Sequence, residues 1–460
     1  MLGLYKIIYD IVPASLILPI IKIFNFNPYA NQKIWKRVEK LSSLLNSFQN
    51  NPENMVQYLN NQLRILYSFT IDNSSFWSNY LKNINSFNID SLQYCNPINS
   101  GMLRREFKNI TNLKIPGYMT STGGSGRNPS KLYLSDESYY LDIIHILWNW
   151  QQIGYKCGDK KVTLRGVNLK DKLTKINPIY NELLINIFLM EKSNIHSVYQ
   201  KIKEFEPVFG HGYPSMFVKL AVILQESNIR IPLKGVSFAS ESFTDYQRKI
   251  VQDAFNCDVL SFYGHSERCG FASEKSNQKG TYLILPTYGF IEILKSNNER
   301  AKEGESGEIT CTGFINKGMP LIRYRTGDYA TVSKLYKGIV IEMKNIIGRW
   351  GKDFVIDKDG NMIPTTAINI HSKVQYKFEY IQIWQKKPGI ITVKLVPWEF
   401  DPSLNNYAKQ IKKDFQEKLK NVEVMIEICT KDELYISQRV KVPYLVSEIS
   451  QVETIRKDLL

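Results

Sequence analysis

Between Pro214 and Gly264 the chain spells helix, strand, helix and strand in turn, and few folds accept that order. "PSMFVKLAVILQ" opens on Pro214, a residue suited to the first turn of a helix. "KGVSFAS" follows as a short buried strand. "TDYQRKIVQDAF" begins with Thr244 and Gln247 at capping-box spacing, and "CDVLSFYG" is the next strand. Strands that alternate with single helices pair in parallel, so this stretch predicts a parallel sheet with crossover helices.

The flanking regions set the domain plan. Upstream, "NQKIWKRVEKLSSLLNSF" places Ile34, Val38, Leu41, Leu44 and Leu45 at helical spacing, and the Asn/Ser-rich region 72–100 reads as short helices and loops. Ser135 begins a helix with Ile143, Ile144, Leu147 and Trp148 on one stripe. From Thr281 the pattern becomes β-rich in "TYLILP", "GFIEIL" and "GEITCTGF". The end, "FEYIQIWQ", "KKPG", "IITVKLVPW", "SLNNYAKQIKKDFQEKLK" and "VEVMIEIC", gives β-β-α-β. "IIGRWGKDFVIDKDGNMIP", rich in glycine and charge, separates the two patterns. The expected fold is α/β: a large domain over 1–347 with mixed and parallel sheets and a helical N-terminal region, then a small mobile α+β domain over 348–460. A length of 460 residues with 43% apolar content supports two cores.

Charge and cysteine usage narrow the function classes. A net charge of +15 is spread along the chain, and no basic run interleaved with aromatics forms a nucleic-acid platform. The six cysteines contain no CxxC pair, which fits a reducing cytoplasm. The apolar start, "MLGLYKIIYDIVPASLILPIIKIFNF", is interrupted by Asp10, Pro13, Pro19 and Lys22, short of the roughly 18 apolar residues a membrane span needs. It reads as a packed helix, with weak peripheral membrane contact as the alternative.

Several stretches carry chemistry. "STGGSG", from Ser121 to Gly126, offers backbone N–H groups and hydroxyls to an anion, but lacks the GxxxxGK[ST] spacing of a Walker loop. Alone it is equally a surface turn. "FYGHSERCGF" puts Tyr263, Ser266 and Glu267 after a strand, where open sheets expose binding loops: a ring for a purine, a hydroxyl for a phosphate, a carboxylate for Mg²⁺. "MPLIRYRTGDYA" adds Arg323, Arg325 and Asp328 for anionic oxygens and ribose hydroxyls. Each has a plainer reading, with Tyr263 as core, Glu267 as partner of Arg268 and Asp328 as a turn former. From Cys269 the chain reads "CGFASEKSNQKG", with no second nearby cysteine, so a four-ligand metal set is not apparent and Cys269 reads as a buried thiol.

The order "STGGSG", "GYPSMF", "ASE", "YGHSE", "GESGEI", "RYRTGD" and "GRWGKD" resembles the adenylate-forming superfamily of acyl-CoA synthetases, adenylation domains and luciferases. "YGHSER", "MPLIRYRTGD" and "TTAINIH" look like the phenylacetate coenzyme A ligase branch, especially its members linked to capsular polysaccharide biosynthesis. The resemblance runs from Gly117 to the C-terminus. It implies that Ser121, Thr122, Gly123, Gly124, Ser125 and Gly126 form the phosphate loop, with Asn128 an insertion and Arg127 or Lys131 standing for the usual lysine. Ser240 and Glu241 would lie beside the adenine, Tyr263 with Gly264 would stack on it, Ser266 would bond the α-phosphate and Glu267 would hold Mg²⁺. Asp328 and Arg349 would bind the ribose, Lys352 or Asp353 would be the hinge, and Lys441 would be the catalytic lysine, though Val440 departs from the expected glycine. His211, Tyr213 and Phe238 are expected to line the acyl pocket.

The activity so implied is ATP-dependent activation of a small-molecule carboxylate as acyl-AMP, then transfer to coenzyme A or to an amine, for instance on a nucleotide sugar or glycan. A non-catalytic nucleotide- or glycan-binding member of the fold is the rival reading.

Overall fold

The computed structural model describes residues 27–449, apart from 85–86, 122–129, 166–168, 170–171, 187–188, 242, 349–353, 361, 365–367, 369–373, 375–376, 400, 420, 437–441 and 443. The described chain divides into two compact units. The first holds residues up to 241, 248–326 and 330–345; the second holds 242–247, 327–329 and the chain from 346 onward.

Two long helices, α1 (Gln32–Asn50) and α2 (Pro52–Asn73), open the first unit. Asn31 caps α1 by accepting from the Lys33 and Ile34 amides, and Asn51 followed by Pro52 starts α2. Of the expected stripe, Ile34, Val38, Leu41 and Leu45 are buried and Leu44 is half-buried. Next comes a separate antiparallel ribbon, β1 (Gly117–Ser121) with β2 (Lys131–Ser135), in register from Gly117 opposite Ser135 to Ser121 opposite Lys131. The stretch opening on Gly117 is thus strand as far as Ser121. Ser135 caps helix α3 (Asp136–Gln151) by accepting from the Ser138 amide, and Ile143, Ile144, Leu147 and Trp148 are buried as their spacing requires.

The dominant element is a twelve-stranded sheet. Its strands are β3 (Lys161–Leu164), β4 (Thr174–Asn177), β5 (Glu182–Ile185), β6 (Phe209–Gly212), β7 (Gly235–Phe238), β8 (Asp258–Gly264), β9 (Phe271–Lys275), β10 (Gln278–Ile284), β11 (Gly289–Leu294), β12 (Ser306–Gly313), β13 (Tyr324–Tyr336) and β14 (Ile339–Ile347). The spatial order is β11-β12-β13-β14-β10-β9-β8-β7-β6-β3-β5-β4. β5, β3, β6, β7 and β8 are parallel neighbours, linked in part by helices α4 (Ile195–Phe205), α5 (Pro214–Glu226) and α6 (Asp245–Phe255). This is the parallel core the alternating pattern requires. β9 reverses direction against β8, and β10 pairs antiparallel with β9.

The second unit carries β15 (Phe354–Ile356) paired with β16 (Met362–Pro364), then β17 (Phe378–Lys387), β18 (Ile390–Pro397), helix α7 (Leu404–Lys418), β19 (Glu423–Ile428) and β20 (Leu445–Ser447). The four-stranded order is β19-β18-β17-β20. Gly389 turns β17 into β18 with φ of +75°, a value that favours glycine. Ile411 and Phe415 of α7 pack on Ile383, Ile391, Val393 and Val424, a core separate from that of the first unit.

Candidate functional site

The predicted site residues of the first unit gather where the parallel strands end. β6 delivers His211 and, one residue beyond, Tyr213; β7 leads into Ser240 and Glu241; β8 carries Tyr263 and Gly264 and leads into Ser266 and Glu267. Parallel strands present these ends on one edge, the place where such sheets bind ligands. Two residues there are held in left-handed backbone: Ser240 at φ +69° and Arg268 at φ +52°. Non-glycine residues keep that conformation only where their surroundings fix it.

Glu267 is the most constrained acid of the group. It is 1% exposed, accepts from Tyr324 Oη at 2.9 Å on Oε1, and has His265 Nδ1 3.3 Å from Oε2. Burial opposes a charge on His265, but hydrogen bonds with Cys311 and Glu267 raise its pKa to about 10. A carboxylate so oriented offers hard oxygen donors of the kind Mg²⁺ takes. Tyr263 is 8% exposed, its ring centroid 5.9 Å from that of His265, and Ser266 is half-buried. Glu241 is held from the first turn of α5: Ser215 Oγ donates to its Oε2 at 2.7 Å and the Ser215 amide at 3.3 Å. The motifs "GYPS" and "ASE" are therefore one structural pair. Asp328 is half-buried on β13, within the short segment that groups with the second unit.

Thr122, Gly123, Gly124, Ser125, Gly126, Arg349, Lys352, Asp353 and Lys441 lie outside the described residues. Ser121 closes β1 opposite Lys131.

Several expectations are corrected. Phe238 is fully buried and its ring sits 6.2 Å from that of Phe217 on α5, so it is core. The cause is strand alternation: Ser237, the register partner of His211, takes the opposite face of β7 from its neighbour Phe238. Arg323 is 1% exposed and donates to both oxygens of Glu292 and to the carbonyls of Gln93 and Cys95; Arg325 donates to Glu308 and Asn298. Both arginines of "RYRTGD" are thus committed to protein partners. Arg268 pairs with Asp142 of α3 at 3.3 Å, not with Glu267. A second cysteine does approach Cys269. Cys311 of β12, His265 and Cys269 bring ligand atoms within 4.8 Å of one another, with His265 Nε2 3.7 Å from Cys269 Sγ, a donor set suited to a soft cation. The only sequence sign of this was an inward position in "GEITCTGF"; the approach is made by sheet pairing, which chain spacing does not reveal.

Around His211 the side chains are polar and aromatic. His211 Nδ1 lies 3.2 Å from the Ser237 carbonyl and its ring 4.8 Å from that of Trp150. Burial, then the charges of Arg165 and Lys161, push its pKa down to about 3, so the ring is neutral. Glu182 is 2% exposed and accepts from Thr163, Arg165 and Asn177, each at 2.9 Å. Lys161 is 1% exposed, with Nζ 3.7 Å from the centroid of Tyr29.

A long mixed sheet with nucleotide-type motifs at its strand ends, followed by a small sheet-and-helix unit, is the architecture of the adenylate-forming superfamily. The chain is phenylacetate-coenzyme A ligase-like and a homologue of Protein CapK of Staphylococcus aureus: 25% identical over 373 residues, 77% of this chain and 80% of that protein. Phenylacetate-coenzyme A ligase of Pseudomonas putida is 28% identical over 198 residues, 41% of this chain and 44% of that one. Among solved structures, a 2-hydroxyisobutyryl-CoA ligase in its postadenylation state superposes with a TM-score of 0.66 at 12% identity, covering 89% of this chain and 92% of that one. The acyl acid amido synthetase AtGH3.15 gives 0.57 at 13% identity over 91% and 96%. No family model matches the chain. Among the described residues no helix is long and apolar enough to cross a membrane.

Proposed function

We propose that this protein activates a carboxylic acid with ATP and passes the acyl group to a thiol or an amine. A carboxylate oxygen attacks the α-phosphorus in line, the bond to the bridging oxygen breaks, and pyrophosphate leaves with acyl-AMP formed. The acceptor then attacks the acyl carbon, AMP departs, and the acceptor's proton passes to solvent. Mg²⁺, when bound, neutralises phosphate charge, and Glu267 is the carboxylate suited to hold it.

The observation that carries this reading is the meeting of Glu241, Tyr263, Ser266 and Glu267 along one strand edge of a sheet whose relatives include phenylacetate-coenzyme A ligases. Tyr263 serves the adenine face, Ser266 the α-phosphate, and Glu241, fixed by Ser215, the adenine side. "STGGSG" supplies phosphate donors, Asp328 and Arg349 the ribose contacts, and Lys441 the cation that balances charge developing between acyl and phosphoryl oxygens. Rotation of the second unit about Lys352 and Asp353 lets one site serve both half-reactions.

Similarity to CapK favours an acyl transfer in surface or capsular polysaccharide assembly, with an amine on a nucleotide sugar or glycan as one acceptor and coenzyme A as the other. Pyrophosphate exchange across a panel of carboxylic acids tests adenylation, and mass spectrometry of products made with coenzyme A or amino sugars separates the acceptors. No exchange with any acid, together with no ATP binding by calorimetry, removes the enzymatic reading. ATP binding without turnover leaves a nucleotide-binding protein.

A further inference from the structure

A run of aromatic side chains with polar tips leads from the catalytic motif to His211. Arg268, directly after Glu267, lies over the ring of Tyr139 at 5.7 Å. Tyr139 Oη donates to Tyr180 Oη at 2.8 Å, Tyr180 meets Tyr29 edge-on at 5.8 Å, Tyr29 stacks on Trp150 at 5.6 Å, and Trp150 contacts His211.

Three donors in this region have no acceptor among the described residues: Trp150 Nε1, Ser237 Oγ and Arg165 Nε. Trp150 is 1% exposed and Ser237 is fully buried. Register places them around one spot. Thr163, His211 and Ser237 stand side by side on β3, β6 and β7, Arg165 follows Thr163 by two residues, and Trp150 packs on the His211 ring. A buried donor without an acceptor costs about 1–3 kcal/mol, so three around one histidine need an explanation.

Charge points the same way. Asp142 balances Arg268, and among the described residues Glu182 is the acid that faces both Arg165 and Lys161. Its lone pairs are taken up by Thr163, Asn177 and Arg165, while Arg165 keeps a side chain 39% exposed. Among the described residues the region therefore combines surplus positive charge, spare donors and a part-exposed arginine.

We infer that the acyl group accepted here is oxygen-bearing: a small carboxylic acid with a second carboxylate or hydroxyl, not a hydrocarbon or aryl acid. The inference rests on the adenylation reading and specifies the acid it leaves open. The oxygen function takes the donors of Ser237, Trp150 and Arg165 and answers the unbalanced charge. An aryl acid would leave those donors unpaired, the condition under which polar pockets discriminate most sharply.

The test compares matched acids by pyrophosphate exchange on the full chain: valerate, 5-hydroxyvalerate, glutarate and phenylacetate. Glutarate or 5-hydroxyvalerate is expected to exceed valerate and phenylacetate in kcat/KM by at least about tenfold. Whether the carboxylate or the hydroxyl probe leads identifies the oxygen group. Ser237→Ala, which removes only a hydroxyl, is expected to shrink the ratio several-fold, and Arg165→Met to shrink it further for glutarate. Thermal unfolding of both variants separates lost folding from lost selectivity, and Ser237→Ala serves alone if Arg165→Met does not fold. Exchange that favours valerate or phenylacetate overturns this inference and leaves adenylation standing. A selectivity ratio unchanged in a folded Ser237→Ala protein overturns it too, since water alone then satisfies the donors. No exchange with any acid removes both readings together.

Discussion

The buried charge cluster behind β11 makes a ranked prediction. Glu292 is 2% exposed and receives Arg323 Nε at 2.9 Å and Nη2 at 3.2 Å on one side and Arg300 Nε at 2.9 Å on the other. Glu292→Met leaves the buried Arg323 guanidinium beside the part-exposed Arg300, with no counter-charge among the described residues. Its cost belongs at the top of the range for breaking a buried pair, about 4–5 kcal/mol. Arg323→Met leaves the neutral pair of Glu292 and Arg300, but strips the buried Cys95 carbonyl of a donor at 2.7 Å and removes two charge-assisted bonds. That amounts to about 2–4 kcal/mol. Arg300, with a side chain 26% exposed, is the mildest loss at about 1 kcal/mol. Urea unfolding followed by tryptophan fluorescence measures all three, because Trp77 is fully buried and donates to the Pro320 carbonyl, three residues before Arg323. The two units are fitted as separate transitions. An Arg323 variant that loses more stability than the Glu292 variant, or either losing under about 1 kcal/mol, refutes the charge accounting.

Three further outcomes are expected. Burial lowers the Lys161 pKa from 10.5 to about 8, so between those pH values the unfolded chain binds more protons and stability rises with pH, by up to about 3 kcal/mol. Subtracting the pH profile of Lys161→Met isolates that rise, and parallel profiles for the two proteins contradict it. Tyr324→Phe removes one hydrogen bond from Glu267; adenylation is expected to fall roughly tenfold and the Mg²⁺ concentration for half-maximal rate to rise, whereas a loss of rate with unchanged Mg²⁺ dependence denies the positioning role. Ser215→Ala removes the hydroxyl bond to Glu241 and is expected to raise KM for ATP about tenfold with kcat within about twofold, and an unchanged KM rules out the adenine-side assignment.

Local signals were strong wherever one element decided the matter. Pro214 starts α5, Ser135 caps α3, and Thr244 with Gln247 exchange both capping bonds, at 3.1 and 2.9 Å. The elements around "KKPG" appear in the order their periodicity predicts. The placing of Tyr263, Ser266 and Glu267 at the end of β8 was legible because their motif closes a strand pattern. What chain spacing could not convey was which face a side chain takes and which distant residue it meets. Phe238 and Ser237 are neighbours in sequence, yet strand alternation sends one to the core and the other beside His211. Arg323 sits amid motif residues but spends its donors on Glu292, Gln93 and Cys95, the last two some 230 residues away in the chain. Cys311 reaches Cys269 only because β11 and β12 fold back beneath the turn after β8.

The ribbon of β1 and β2 has a consequence for how this chain varies. It is a two-stranded sheet of its own, and its ends are clamped: Tyr133 Oη donates to the Ile115 carbonyl at 2.6 Å, and Asn316 bonds both the Tyr133 carbonyl and the Ser135 amide. A side chain at Gly117 would strike the Leu134 carbonyl at 2.4 Å, so the strands cannot slide past one another to absorb a change. Residues inserted between Ser121 and Lys131 therefore alter no pairing. Adding one residue to a connection of about nine costs about 0.1 kcal/mol in closure entropy. The register from Gly117 opposite Ser135 to Ser121 opposite Lys131 is thus fixed from its outer end, whatever number of residues joins Ser121 to Lys131.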